Sequence, residues 1–324
     1  MNMNSQRILV TGGSGFIGSH FVRTYLNDHP SDEVVNVDLL TYAGRKENTL
    51  NEEKNPRYSF VHADICDTTK MDEAMKGCDA VVHFAAESHV DRAIENATVF
   101  LRTNVLGTHS LLEAARKNDV KKFLQISTDE CYGHILDGSF TEKDTLNPRN
   151  PYAASKVGSE RLAYSYSQTY GMNVLITRSS NNFGPYQFPE KMLPLFATNL
   201  IRGKKVPVYG DGLNVRDWLF VEDNCRGVDL VLQKGKSGEV YNIAGEQEMP
   251  NLHIIRMILK EMGKGEEMIQ FVEDRKGHDK RYSIDASKIK ALGFNHSKPF
   301  EQRLHETIAW YKQNEWWWKP LVKN

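Results

Sequence analysis

Two groups of residues in the 324-residue chain have the types and spacing that chemistry on an alcohol needs. Tyr152 and Lys156 stand four residues apart just behind Pro151. Proline suits the first turn of a helix and an i, i+4 pair shares one helical face, so phenol and ammonium can act together. An unperturbed phenol titrates near about 10 and is a poor base at neutral pH, but a neighbouring ammonium favours the phenolate. On its own this spacing is a common accident of amphipathic helices, and its weight comes from what surrounds it. The second group is Thr128-Asp129-Glu130, directly after the apolar run Phe123 to Ser127. Oxidation and reduction need only the Tyr/Lys pair. Eliminating water needs in addition an acid for the departing hydroxyl and a base for a carbon-bound proton. Asp129 and Glu130 can supply them.

A place for a redox cofactor lies at the start of the chain, where the β-branched run Arg7 to Thr11 opens into Gly12-Gly13-Ser14-Gly15-Phe16-Ile17-Gly18. Glycines between a strand and a helix let the backbone approach a pyrophosphate, whose charge then rests on the unpaired N–H groups of the helix N-terminus. Gly12, Gly15 and Gly18 fit that role. Gly13, Gly15 and Gly18 fit the same spacing, which leaves the tightest position open. Asp38 closes the next strand, where a carboxylate accepts hydrogen bonds from ribose hydroxyls and repels a 2′-phosphate, so NAD is expected over NADP. Arg45, a few residues on, is the one feature that weakens this preference. Asp64 and Ile65 end the third strand, placed for the adenine rim, although such an Asp serves equally well as a loop cap.

These groups need a scaffold, and the chain alternates strand-like and helical stretches to provide one. Arg7 to Thr11, Val34 to Asp38, Tyr58 to His62, Ala80 to Phe84, Phe123 to Ser127 and Asn173 to Arg178 read as strands. Continuously apolar strands separated by amphipathic helices imply an α/β fold with a doubly wound parallel (Rossmann) sheet. After Arg178 the regularity breaks into an Asn-, Pro- and Gly-rich stretch, then returns as helical spacing at Val221 to Lys234, Leu252 to Met262 and Phe300 to Tyr311. The expected organisation is a cofactor domain over 1–178 and a smaller mixed α/β substrate lobe over 179–324, with segments interwoven. Trp316, Trp317 and Trp318 are expected to dock the C-terminus onto the body.

Bulk properties narrow the partners. A formal net charge of -1, without long blocks of either sign, argues against nucleic acid and against a polybasic membrane anchor. No apolar run approaches the roughly 20 residues that span a bilayer, and the N-terminus does not read as a secretory leader, so a cytoplasmic protein is expected. Cys66, Cys78, Cys131 and Cys225 are scattered, which suggests free thiols and no metal site.

With these groups in hand, the chain resembles the extended short-chain dehydrogenase/reductase family, and within it the dTDP-glucose 4,6-dehydratases, from end to end. The resemblance rests on TGGSGFIG at Thr11 to Gly18, NVDLLTYAG at Asn36 to Gly44, HADICD at His62 to Asp67 and AAESHVDR at Ala85 to Arg92. It continues through STDECYG at Ser127 to Gly133, PYAASK at Pro151 to Lys156, SNNFGPYQFPEK at Ser180 to Lys191, RDW at Arg216 to Trp218 and GHDKRY at Gly277 to Tyr282. The resemblance implies an NAD-dependent lyase. Thr128 and Tyr152 would polarise the glucose 4-hydroxyl as its hydride leaves, Glu130 would take the C5 proton, and Asp129 would protonate the departing C6 hydroxyl, after which the hydride returns at C6.

The same resemblance places Phe16, Ile17, Leu39, Thr41, Phe84, Ala85, Ala86, Ser88, Thr103 and Asn182 along the cofactor. It places Ser88, Thr128, Asn181, Lys191, Met192, Pro207, Val208, Tyr209, Arg216, Asn251, Arg275 and His278 around the nucleotide sugar. It implies a homodimer built on Val105 to Lys117 and the Tyr152 helix, and a role in rhamnose or other deoxysugar biosynthesis. Leu39, Arg45, Lys276 and Cys131 depart from the usual family residues. The departure at Cys131 leaves activity intact but suggests sensitivity to oxidation. The alternatives are a UDP-glucose 4,6-dehydratase, a UDP-sugar 4-epimerase, against which Asp129 and Glu130 argue, and a non-catalytic NAD-binding scaffold.

Overall fold

The computed structural model describes residues 5–274 and 278–322. Its strands are β1 (Arg7–Thr11), β2 (Glu33–Asp38), β3 (Tyr58–His62), β4 (Ala80–His83), β5 (Lys122–Thr128), β6 (Val174–Ser179), β7 (Asn181–Phe183), β8 (Val206–Tyr209), β9 (Val215–Phe220), β10 (Val240–Ile243), β11 (Glu248–Pro250) and β12 (Ile269–Val272). Seven of them form one sheet in the order β10-β6-β5-β4-β1-β2-β3, and each neighbouring pair is parallel. The order reverses between β1 and β4, which opens a crevice at the carboxyl ends of those strands. β4 and β6 are buried along their whole length, as strands covered by helices on both faces must be.

One hydrophobic cluster fills the side of the sheet against the helices Phe16–Asp28 and Val221–Lys234, and runs on into the small lobe. A second cluster joins the other face to the helices Thr68–Met75, Gly107–Lys117 and Pro151–Tyr170. The small lobe adds a three-stranded sheet, β11-β9-β7, and the pair β12-β8. β10 returns from this half of the chain to the edge of the large sheet beside β6.

Two features outside the regular layers bear on the site. The helical run from Ala97 to Lys117 contains a π-helical stretch, Leu101–Leu106, against which the Tyr152 helix packs closely: a Cβ on Gly158 would lie 3.2 Å from Val105. At the C-terminus Trp317 and Trp318 are buried beside Tyr311, and their indole N–H groups donate to Asn48 Oδ1 (2.8 Å) and the Tyr311 carbonyl (2.7 Å). Trp317 and Trp318 thus dock the terminus, whereas Trp316 is exposed and donates only to the nearby Asn314 side chain. Among the described residues, no helix is long and apolar enough to cross a membrane, and no group of three or more His, Cys, Asp or Glu is arranged to hold a metal ion.

Candidate active site

The first βα turn is shaped for close approach to a ligand. Gly12 has φ +68°, and a Cβ there would lie 2.7 Å from the Ala85 nitrogen; a Cβ on Gly18 would lie 2.1 Å from the Gly12 carbonyl oxygen. Gly13 faces Asn36 instead, so Gly12, Gly15 and Gly18 are the glycines that line the cleft. Gly15 starts the helix Phe16–Asp28 with no side-chain cap, which leaves the first-turn N–H groups and the positive end of the helix dipole toward the cleft.

Asp38, at the end of β2, accepts from the backbone N–H groups of Ser14 (3.0 Å) and Leu40 (2.8 Å). Burial raises its pKa against the pull of those two donors. Arg45 donates to the Trp317 carbonyl (3.1 Å), lies 5.5 Å from the Trp317 ring and pairs with Glu47. Held there, it is not placed to compensate a 2′-phosphate beside Asp38, and the feature that weakened the NAD preference falls away.

The cleft, about 1350 Å³ and open to solvent, is also lined by Phe16, Ile17, Leu39, Thr41, Asp64, Ile65, Phe84, Ala85, Ala86, Ser88, Thr103, Tyr152 and Lys156. Asp64 does both jobs open to it: it lines the cleft, caps its own turn through the Cys66 N–H (2.9 Å) and pairs with Arg102 (2.7 Å). Asn182 does not line the wall. Its Nδ2 donates to the Ser180 carbonyl (3.0 Å), turned away along β7.

The reacting groups gather where β5 ends. Thr128 donates to Asp129 Oδ1 (3.1 Å) and accepts from the Glu130 N–H (3.3 Å), and its hydroxyl lies close enough to the Tyr152 phenol to affect its titration. Asp129 is buried, and its Oδ2 has no hydrogen-bond partner. Burial, followed by the charge of Glu130, pushes its pKa up to about 8, so it holds its proton at neutral pH. Glu130 is half-buried at the wall of a second cavity. Burial raises its pKa too, but a hydrogen bond from Asn150 and the charges of Lys191 and Arg216 pull it back down.

Lys156 differs from expectation. Its ammonium donates to the Ile126 carbonyl (2.6 Å), and burial lowers its pKa to about 8. Burial raises the Tyr152 pKa well above its usual value, Glu130, Cys131 and Asp129 add to this, and the Thr128 hydroxyl works the other way. A phenolate sustained by Lys156 alone is therefore not what this geometry holds. Cys131 is fully buried, bonded to Ser127 (3.3 Å), and desolvation pushes its thiol up to about 12, which removes the expected sensitivity to oxidation.

The helix carrying Tyr152 and Lys156 is fixed at two points. Asn150 caps its start through the Ala153 N–H (2.8 Å). Glu160, further along, is bonded to Arg178 of β6, which also donates to Tyr132 just beyond Glu130. This buried pair ties helix, sheet and the Asp129–Tyr132 turn together.

The second cavity, about 1260 Å³ and also open to solvent, joins the cofactor cleft at Glu190 and Lys191. Of the predicted substrate residues, Asn181, Lys191, Met192, Pro207, Val208, Tyr209, Arg216, Asn251 and His278 line it. Ser88 lines the cofactor side only, where its carbonyl accepts from Lys191 (3.1 Å). Thr128 and Asp129 line neither wall and sit behind them, bonded to each other. Arg275 lies outside the described residues. The Arg216 guanidinium is buried, donates to the Asp279 carbonyl (2.9 Å) and lies 4.4 Å from the Tyr282 ring.

Sequence reasoning missed Asn150, His89, Glu190, Asp279 and Tyr282 on this wall. Asn150 had a signal: an Asn directly before a helix-starting Pro is an N-cap. Asp279 and Tyr282 belong to the GHDKRY stretch and are bonded to each other at 2.6 Å.

The clefts, the glycine turn and the paired carboxyls can now be set beside known proteins. The model of the GDP-mannose 4,6 dehydratase family matches residues 9–307. The chain belongs to this family. Among curated relatives, the low-salt glycan biosynthesis protein Agl12 of Haloferax volcanii is 52% identical over 304 residues, covering 94% of this chain and 98% of that one. A dTDP-glucose 4,6-dehydratase from an Actinoplanes species is 50% identical over 318 residues, covering 96% and 99%. The crystal structure of DesIV, a dTDP-glucose 4,6-dehydratase from Streptomyces venezuelae with NAD and TYD bound, superposes with TM-score 0.96 at 50% identity, covering 98% of this chain and all of that one. Membership of the GDP-mannose 4,6 dehydratase family accounts for the two joined clefts, one for a dinucleotide and one for a nucleotide sugar.

Proposed function

We propose that the protein is an NAD-dependent dTDP-glucose 4,6-dehydratase, a lyase that converts dTDP-glucose to dTDP-4-keto-6-deoxyglucose and water. The observation that carries this reading is a pair of adjacent carboxyls in different settings at the end of β5: Glu130 on the wall of the second cavity, bonded to Asn150, and Asp129 buried behind it with an unpartnered Oδ2. Burial pushes the Asp129 pKa up to about 8, so it keeps its proton near neutrality; burial raises the Glu130 pKa as well, opposed by the Asn150 amide and the charges of Lys191 and Arg216. One acid and one base, fixed side by side, are what water elimination requires and what an epimerase has no use for.

The residues fit NAD: a Cβ on Gly12 or Gly18 would fill the cradle, and Asp38 faces the ribose position. Bound there, NAD supplies a reversible acceptor for the hydride at C4 of the sugar. Tyr152, which lines the cofactor cleft, would hold the 4-hydroxyl and take its proton as the phenolate, a form that the positive charge of bound NAD and the Lys156 ammonium would favour. The resulting ketone acidifies C5, whose proton passes to Glu130. The electron pair left at C5 forms a double bond to C6 as the C6–O bond breaks, and Asp129 protonates the leaving hydroxyl to water. The hydride then returns at C6 and Glu130 gives its proton back to C5, which yields the 4-keto-6-deoxy sugar, while the proton taken from the 4-hydroxyl replaces the one Asp129 gave up. Lys156 holds the helix against β5 and faces the cofactor side of the cleft. Arg216 and Lys191 offer cationic partners to a diphosphate.

The division into 1–178 for the cofactor and 179–324 for the nucleotide sugar belongs to the same proposal, with Val221–Lys234 and β10 crossing back to the large sheet. So does a homodimer. Its support is a set of exposed apolar side chains, Ile94, Val99 and Leu101 ahead of the expected Val105 to Lys117 stretch and Leu106 within it, on helical elements that pack beside the Tyr152 helix. A cytoplasmic setting is favoured by four free cysteines. Deoxysugar biosynthesis, rhamnose included, is the expected use of the product.

The test is a substrate panel. Purified protein is incubated with dTDP-glucose, UDP-glucose or GDP-mannose, and the 4-keto-6-deoxy sugar is followed by its absorbance in alkali and by loss of one water in mass spectra. The proposal requires dTDP-glucose to turn over fastest. Turnover of UDP-glucose or GDP-mannose above dTDP-glucose would move the substrate assignment, and a 4-epimer without water loss would move the reaction.

A further inference from the structure

Asn150 joins two parts of the site that are separate in sequence. Its Oδ1 accepts from the Ala153 N–H (2.8 Å), capping the helix that carries Tyr152 and Lys156, and its Nδ2 donates to Glu130 Oε2 (3.0 Å). The two ends of the carboxamide serve two different partners, and turning the amide over would break both bonds. We propose that Asn150 is a positioning residue that makes Glu130, and not its neighbour Asp129, the base of the elimination, by holding its carboxylate in register with the helix that presents Tyr152. This rests on the dehydratase reading.

The surroundings of the two carboxyls differ in the required sense. Glu130 faces Asp129 in its own turn, Tyr152 on the helix, Lys191 at the joint of the clefts, Arg216 on β9, and Asp279 and Tyr282 beyond it. Burial raises the Glu130 pKa most, Asp279 adds to it, and the Asn150 amide, Lys191 and Arg216 favour the charged form against them. Asp129 has only the Thr128 hydroxyl on Oδ1, and its Oδ2 has no partner. A donor aimed at a carboxylate binds the anion more strongly than the neutral acid, so removing it moves the proton balance toward protonated Glu130. Direct capture of the C5 proton is then lost at pH values where the wild type works. The oxidation step at C4, which does not use Glu130, continues.

The experiment compares Asn150→Ser and Asn150→Asp with the wild type. Both keep a side-chain oxygen for the cap, so the helix start survives. Asn150→Asp sets a second carboxylate against Glu130. Its acidic limb for water loss is expected to move up by at least about one pH unit, about tenfold in rate on that limb, with reduced nicotinamide accumulating on the enzyme. Asn150→Ser should shift the limb in the same direction by less. An acidic limb that stays at the wild-type position in both variants overturns the proposal, whatever their maximal rates. A readout independent of turnover is the titration of the Glu130 carboxyl followed by carbon-13 resonance and assigned by its loss in Glu130→Gln. An upward displacement in Asn150→Asp supports the proposal and an unmoved titration overturns it, even if the wild type forms no keto-sugar and the dehydratase reading fails.

Discussion

Replacing Asp129 with Asn should make the protein more stable near neutral pH, and the gain should vanish in acid. Asp129 is nearly inaccessible, and its pKa rises from 3.8 to about 8. Because the native state keeps a proton that the unfolded chain releases, wild-type stability falls as pH rises from about 4 toward about 8. Each unit is about 1.4 kcal/mol, so the buried carboxyl costs about 4 kcal/mol at pH 7 relative to pH 4. The Asn side chain does not titrate, but its buried N–H group costs about 1–3 kcal/mol of desolvation. The net gain at pH 7 is then about 1–3 kcal/mol, and at pH 4 the variant is no more stable than the wild type. Urea unfolding of the two proteins at half-unit pH steps between 4 and 8 reads this directly. A stability difference that does not change with pH, or that favours the wild type increasingly as pH rises, would refute the assignment of Asp129 as the protonated partner.

Other consequences are equally open to test. Glu130→Gln should still oxidise C4 but stop at that stage, so stopped-flow absorbance would show reduced nicotinamide rising without keto-sugar; full dehydration by this variant would remove Glu130 from its role. Gly18→Ala places a Cβ 2.1 Å from the Gly12 carbonyl oxygen and should weaken NAD binding by at least about tenfold in equilibrium dialysis while leaving the circular dichroism spectrum unchanged. Glu160→Ala leaves Arg178 buried without its partner, both side chains being 2% exposed or less, and should cost about 3–5 kcal/mol in denaturant unfolding.

The large sheet was legible because strands buried on both faces must carry short apolar runs, as Ile8 to Val10, Val34-Val35, Ala80 to Val82, Phe123-Leu124 and Val174 to Ile176 do, although Asn36, Gln125 and Arg178 are buried polar exceptions. The glycine turn was legible for the same kind of reason, since only glycine tolerates the approach between Gly18 and Gly12. Which glycine faces the ligand was not, because Gly12 and Gly13 differ only in what lies opposite, and Asn36 decides that through a strand pairing. Lys156 and Tyr152 were correctly brought to one helix, but spacing along a helix says nothing of what the far end of a lysine reaches, here the Ile126 carbonyl. Arg45 is a similar case: its partner Trp317 is 272 residues away. The walls contributed by His89, Glu190, Asp279 and Tyr282 come from loops that converge only after the sheet and the small lobe have packed.

The central claim is that hydride leaves and returns within one bound sugar while water departs from C6. The most direct measurement uses dTDP-glucose carrying deuterium at C4 and locates the label in the product by nuclear magnetic resonance, alongside the mass change. The account predicts a 4-keto sugar that has lost one water and carries the deuterium at C6. Deuterium returned to C4 with no loss of water, or released to solvent, would contradict it.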